Sequence, residues 1–221
     1  LCTPSRVNLM SGKSNVFNYF DFGVYPEGQP TFANYFLEQG YRTAVAGKWQ
    51  LLTQKGGITP EEAGFETHCL WNIPGGGRNR YWNPSLVQDG ELLDLPKNSY
   101  GPDITTDFLI KFITKNQAEP FLVYFPMILP HNPFHVTPDS EDPHSADAKS
   151  NFIDMVQYID KNVGRLEDTL TSLGLHEKTL IIFTSDNGTN AQLTSELDGQ
   201  TIRGGKGYTL DYGTHVPLIV N

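Results

Sequence analysis

Apolar residues recur along this chain at two spacings, and the alternation between them lays out its elements. At the start, Pro4 suits the first turn of a helix, Leu9 and Met10 supply a small apolar face, and Gly12 is a natural stop. Residues 13–30, rich in Asn, Phe, Gly and Pro, read as loop. Thr31 then caps a helix to about Gln39, with Phe32, Tyr35 and Phe36 on one face and Gly40 beyond its end. The small and β-branched run Tyr41–Ala46 predicts a buried strand that delivers Gly47-Lys48-Trp49-Gln50-Leu51 as a polar turn. Residues 53–102 keep neither period for long and read as one irregular excursion.

The helical period returns from Asp103 to about Gln117, with Phe108, Leu109, Phe112 and Ile113 on one side. Phe121–Phe125 is a near-continuous apolar strand, and the proline-punctuated run Pro126–His135 after it cannot be helix. Beyond a polar connection at 137–150, residues 151 to about 173 predict the longest helix. There Phe152, Met155 or Val156, Ile159, Val163, Leu166 and Leu170 repeat at three and four, and Gly174 ends the run. Thr179–Phe183 reads as a further buried strand carrying Thr184-Ser185-Asp186-Asn187-Gly188, followed by loop at 189–202. A basic glycine-rich turn, Arg203–Gly207, precedes a last strand at 216–220. Strands alternating with helices predict an α/β fold: a large, mostly parallel (mixed) sheet with helices on both faces. Its functional groups belong on loops at the strands' carboxyl ends.

Composition narrows this picture. With 221 residues there is enough chain for one substantial core. A net charge of −9 argues against a binder of nucleic acid or anionic membranes, so an anionic ligand would need a local cluster of cations. No apolar run approaches the roughly 18 residues of a membrane span. Two cysteines, Cys2 and Cys69, exclude a disulfide-dense scaffold. The chain opens on Leu and stops at an apolar strand, so we expect further sequence on both sides.

The candidate chemistry gathers at a few places. Cys2 falls at the amino end of the first helix, where free amides and the helix dipole favour negative charge. Arg6, one turn on, can reach the same spot. Lys48, His131, Asp186/Asn187 and Lys206 lie on loops, most of them directly after apolar strands. Taken singly each has an ordinary reading: a solvated lysine, a loop histidine, a turn built of Asp, Asn and Gly. In the excursion, Trp71, Tyr81 and Trp82 either pack it down or line a wall that stacks on a sugar ring, with Arg78 or Arg80 meeting its charges.

Cys2-Thr3-Pro4-Ser5-Arg6 matches the Cys-x-Pro-x-Arg signature of the sulfatases, and five further segments resemble that family in the same order. They are Gly47-Lys48-Trp49, Pro130-His131-x-Pro133, the helix from Val156 to Arg165, Thr184–Gly188 and Arg203-Gly-Gly-Lys206. The resemblance implies an alkaline-phosphatase-like sheet and a hydrolase of sulfate esters. Residues 1–221 would be its catalytic domain, lacking an upstream metal-binding strand and a carboxy-terminal subdomain. It implies that Cys2 is oxidised to Cα-formylglycine by a formylglycine-generating enzyme, and that Asp186, Asn187 and position 2 ligate Ca²⁺, with Mg²⁺ as the alternative. Arg6, Lys48 and Lys206 would meet the sulfate, and His131 would face the leaving oxygen as candidate proton donor. By the same analogy one oxygen of the hydrated aldehyde attacks sulfur, and the second hydroxyl then expels sulfate. An exported or lysosomal location is the family's habit.

Three departures stand out. The family's two upstream aspartates are not in this chain. Gln50 stands where the family usually has a histidine, and an amide cannot take up a proton near neutral pH; His135 is a substitute candidate. Asp211 and His215 replace parts of a Glu-Gly-Gly-x-Arg pattern. His68, His144 and His176 read as incidental. The expected substrate is a sulfated carbohydrate, or else an aryl sulfate. The competing readings are a phosphate or phosphonate monoester hydrolase of the same superfamily and a non-catalytic binder of sulfated glycans.

Overall fold

The computed structural model describes residues 1–19 and 21–221; Phe20, within the loop expected at 13–30, lies outside the described residues. Among the described residues six α-helices punctuate the chain: α1 (Cys2–Ser11), α2 (Asn15–Asn18), α3 (Phe32–Glu38), α4 (Gly101–Lys115), α5 (Ala148–Ser172) and α6 (Asp211–Thr214). The main sheet uses β1 (Arg42–Lys48), β4 (Thr67–Trp71), β5 (Val87–Gln88), β6 (Glu91–Leu92) and β7 (Phe121–Tyr124) in the order β6-β5-β4-β1-β7. A clip of β2 (Leu52–Thr53) and β3 (Gly56–Gly57) follows β1.

β1 is the axis of the sheet, buried at every residue after Arg42 and running parallel to β4 on one side and β7 on the other. Its alternation sorts the core. Ala44 and Ala46 join Cys69 and Trp71 of β4 on the side covered by Leu109, Phe112 and Ile113 of α4 and Met155 and Tyr158 of α5. Val45 and Leu70 point the other way, against Val7 and Met10 of α1, Ala33 of α3, Trp49 and Phe65. Helices therefore cover both faces, and the sheet is mixed because β5 and β6 turn back antiparallel.

The helices form for the expected reasons. Gly12 closes α1 in the left-handed conformation at φ 67°, donating its amide to the Asn8 carbonyl. Thr31 caps α3 with a reciprocal capping box in which the Asn34 side chain accepts from the Thr31 amide. Asp147 caps α5 by accepting from the Ser150 amide. α4 and α5 are clamped by Tyr158, whose hydroxyl donates to Asp103 at 2.9 Å, and by the Arg165–Asp107 ion pair.

Several expectations are corrected. Tyr35 and Phe36 do not share a buried face with Phe32; they are exposed, and Ala33 is the buried residue of α3. The excursion 53–102 contains β4, a central strand: Thr67-His68-Cys69-Leu70-Trp71 is buried by its neighbours rather than by an apolar composition. The loop expected at 189–202 holds a hairpin, β9 (Thr194–Leu197) and β10 (Gln200–Arg203), turned at Asp198 and Gly199, both with positive φ. The buried strand expected at 179–183 is β8 (Ile182–Thr184), and the last strand, expected at 216–220, is β11 (Leu218–Val220). They form a separate antiparallel ribbon with Ile182, Leu218, Ile219 and Val220 exposed.

Candidate active site

The carboxyl end of β1 is where the site is built. β1 ends on Lys48, whose amide donates to the Pro126 carbonyl at 2.8 Å, tying that end of β1 to the segment after β7. Only a glycine fits before it: Gly47 has φ +112°, and a Cβ there would overlap the Pro126 carbonyl. The Arg6 guanidinium reaches across from α1 and donates Nη1 to the carbonyls of Lys48 and, at 3.4 Å, Trp49. Arg6 is buried, and its Nε has no protein partner among the described residues. Part of its hydrogen-bonding capacity thus holds the strand end in place, and one donor is left over.

Lys48 is buried, and burial pulls its pKa below the ordinary lysine value. Cys2 is the strongest influence in the other direction; Arg6 lowers it further and Asp186 raises it. These three groups, from two separated segments, therefore lie within electrostatic reach of the Lys48 ammonium. Cys2 is itself buried at the amino end of α1 as a free thiol.

His131 sits on the loop after β7, flanked by cis peptides at Leu129–Pro130 and Asn132–Pro133. Burial lowers its pKa to about 4; the Asn132 carbonyl opposes this, while Lys48, Lys206 and Arg80 each push it down further. The imidazole is thus neutral near pH 7 and shares two cations, Lys48 and Lys206, with the rest of the cluster. Lys206 is placed by its amide, which donates to the Thr189 carbonyl at 2.9 Å. That contact stitches the glycine-rich turn to the segment after Asp186 and Asn187, and the Gly188 amide donates to Gly213 at 3.0 Å.

Lys48 thus links the cluster: Cys2, Arg6 and Asp186 act on it, and it acts together with Lys206 on His131, with Asn187 following Asp186 in sequence. His135 is not among them; it is exposed and lies edge-on to Tyr81, ring centroids 5.9 Å apart. His215 is exposed beyond α6. Gln50 adopts φ 54°, and its Oε1 is buried without a protein partner.

The donor set can be tested against a hard divalent cation. Asn187 Nδ2 donates to the Gly188 carbonyl at 3.0 Å, which fixes the amide, and its Oδ1 is buried with no protein partner among the described residues. An orphaned amide oxygen on Asn187 and a carboxylate on the preceding residue, Asp186, are the donor types that suit a Ca²⁺ or Mg²⁺ ion. Among the described residues no group of three or more His, Cys, Asp or Glu side chains is placed to hold a metal. The fit is therefore to part of a coordination shell.

The sulfatase family model matches residues 1–221. The chain belongs to the sulfatase family. This sulfatase-family chain is 28% identical over 253 residues to an arylsulfatase of Hemicentrotus pulcherrimus, covering 100% of this chain and 44% of that one. Its fold is similar to the crystal structure of Ps i-CgsB, with a TM-score of 0.80 and 23% identity, covering 100% of this chain and 55% of the other. It is also similar to BT4656 in complex with its substrate D-glucosamine-2-N,6-O-disulfate, with a TM-score of 0.75 and 18% identity over 100% of this chain and 61% of that one. At such identities these two likenesses show the fold alone. The chain spans less than half the length of that arylsulfatase and somewhat over half of the two solved structures.

Sequence reasoning missed the engagement between the sulfatase chain's excursion and its histidine loop. Trp71 and Tyr81 are 7% and 3% exposed, so they pack the core and cannot stack on a sugar. Arg80 lies over the Trp71 ring, its guanidinium carbon 4.3 Å from the centroid, and its Nη1 is 2.9 Å from His131 Nδ1. The available signal was the run Arg80-Tyr81-Trp82 itself, three residues able to donate from consecutive side chains. Arg78 is exposed and makes no such contact.

Proposed function

We propose that the full-length protein hydrolyses sulfate esters, and that its substrate is a sulfated carbohydrate. The observation that supports this best is the burial of Lys48 within reach of Cys2, Arg6 and Asp186, with Lys206 acting on the same histidine. A buried ammonium with a lowered pKa is costly to the fold, and an anion bound beside it would offset that cost. A tetrahedral monoanion spreads its charge over three oxygens, which suits several fixed cations in a dry site better than one.

In this reading Lys48 and Lys206 bind the sulfate oxygens. Arg6 keeps the end of β1 in register and presents its remaining donor towards negative charge at position 2. His131 Nε2 lies on the leaving-oxygen side, where a neutral imidazole can hold or pass a proton. Asp186 and Asn187 would hold part of the shell of a Ca²⁺ ion, which supplies charge stabilisation when bound, and the formylglycine form of Cys2 would supply the nucleophile. The carbohydrate preference is supported by Arg78, exposed on the excursion, and by the likeness to a protein whose structure holds a disulfated glucosamine.

The test is sulfate release from a panel of sulfated glycans and aryl sulfates by full-length protein co-expressed with a formylglycine-generating enzyme. Release from at least one glycan, abolished by Cys2→Ala, is the expected result. Turnover of phosphate esters in preference to sulfate esters, or glycan binding without any release, would overturn it.

A further inference from the structure

The loop between β4 and β5 grips the histidine loop with three consecutive side chains. Arg80 Nη1 donates to the Asn132 carbonyl at 3.2 Å, the Tyr81 hydroxyl donates to the His131 carbonyl, and Trp82 Nε1 donates to the Val136 carbonyl at 3.0 Å. Tyr81 and Trp82 each reach a backbone carbonyl of that loop and do not touch the imidazole nitrogens. What Arg80 adds is a positive charge against the imidazole: its Nη1 stands 2.9 Å from His131 Nδ1, and the same Nδ1 is 2.6 Å from the Asn132 carbonyl. Both contacts fall on Nδ1, so Nε2 is the ring nitrogen left free.

We propose that Arg80 is a positioning residue for His131, keeping the imidazole neutral and turned so that Nε2 is the nitrogen offered to the reaction. The inference rests on the sulfate-ester reading of the site. The two Nδ1 contacts ask for opposite tautomers: the Asn132 carbonyl at 2.6 Å accepts only from an Nδ1–H, whereas an Arg80 N–H at 2.9 Å donates only to a bare Nδ1. Arg80 therefore opposes the Nδ1–H that the carbonyl favours and with it the imidazolium, which must carry that hydrogen. The guanidinium cannot swing aside at no cost. It is stacked at 4.3 Å on Trp71, which is locked in β4 directly opposite Lys48 of β1. Among the described residues no carboxylate lies within ion-pair distance of Arg80, so its charge is not neutralised locally.

The charged groups acting on His131 come from three elements. Lys48 at the end of β1, Lys206 on the glycine-rich turn and Arg80 on the excursion all disfavour a proton, as does burial. The Asn132 carbonyl on its own loop favours one. Lys48 and Lys206 are the cations a bound sulfate would neutralise; Arg80 is the one assigned here to stay with the histidine through the cycle.

The test uses the full-length protein and reads the protonation midpoint of His131 directly. Deuterium exchange at imidazole C2 is followed across pH by mass spectrometry, with fragment ions that separate His131 from His135. In Arg80→Gln the His131 midpoint rises by about half a pH unit or more, and the acid limb of kcat/KM for sulfate release moves up with it. Arg80→Lys, which keeps the charge, leaves the midpoint near the wild-type value even if the rate falls. A His131 midpoint unmoved in Arg80→Gln, or moved equally in both variants, overturns the proposal. A wild-type protein that releases no sulfate ends the ester-hydrolase reading instead, and the midpoint comparison still decides the role of Arg80.

Discussion

Lys48 shows how the site's demands oppose the fold's. Its side chain is buried with a lowered pKa, so the ammonium is held where solvent cannot stabilise it. Lys48→Met keeps the volume and removes the charge. We expect kcat/KM for sulfate release to fall by about 10²-fold or more, the usual cost of deleting one charge-stabilising donor, while the thermal midpoint holds or rises. A variant that melts well below wild type would show that the ammonium supports the fold. His131 makes the converse case through pH. Its folded pKa, about 4, lies below the ordinary 6.5, so as pH falls the unfolded chain takes up this proton first. The His131 contribution is fully present above pH 6.5 and is lost progressively between 6.5 and about 4. Urea midpoints measured across that window should fall more steeply for wild type than for His131→Gln; parallel curves would refute the assignment. At this scale Cys2, Arg6, Lys48, His131 and Lys206 were legible because each sits in a short motif. The role of Arg80 was not, since the run Arg80-Tyr81-Trp82 marks three donors but does not name the histidine that Arg80 meets 51 positions away.

At the scale of elements, the critical joint is the end of β1. Gly47 lies against the Pro126 carbonyl with φ +112°, and the next amide donates to that same carbonyl. Gly47→Ala must either move the chain after β7, and His131 with it, or break the last rung of β1. We expect a loss of roughly 2–4 kcal/mol in unfolding free energy, together with activity, measured by chemical denaturation. The more exposed Gly12→Ala, where a Cβ meets no atom within 4 Å, should cost less and spare activity. The helices at 101–115 and 148–172 were readable from a long 3.6-residue period, and the short one at 2–11 from Pro4 in its first turn and the left-handed Gly12 at its end. β4 was hidden because a strand flanked on both sides in a sheet can bury a residue such as His68, with only Cys69-Leu70-Trp71 as an apolar run to mark it. The hairpin β9–β10 was hidden for the opposite reason, being exposed along most of its length.

Over the whole molecule, burial is uneven. The five-stranded sheet carries the two cores, while β8 and β11 pair only with each other and leave Leu180, Ile182, Leu218, Ile219 and Val220 between 56% and 70% exposed. A short two-stranded ribbon with apolar faces and open edges is marginal by itself and recruits further strands. The net charge of −9 opposes association only over the Debye length, about 10 Å at 0.1 M salt. Residues 1–221 expressed alone should therefore self-associate, and more so as salt is raised; sedimentation velocity at low and high ionic strength measures it. The ribbon can be singled out as the cause because Ile182 and Val220 are cross-strand partners. Ile182→Lys with Val220→Glu places an ion pair on that exposed face and should return the chain to monomer with its far-ultraviolet spectrum unchanged. A wild-type chain that stays monomeric in high salt would mean that the exposed apolar ribbon is tolerated, and a double variant that still associates would move the adhesive surface elsewhere, with the exposed Val16 and Phe17 of α2 next in line.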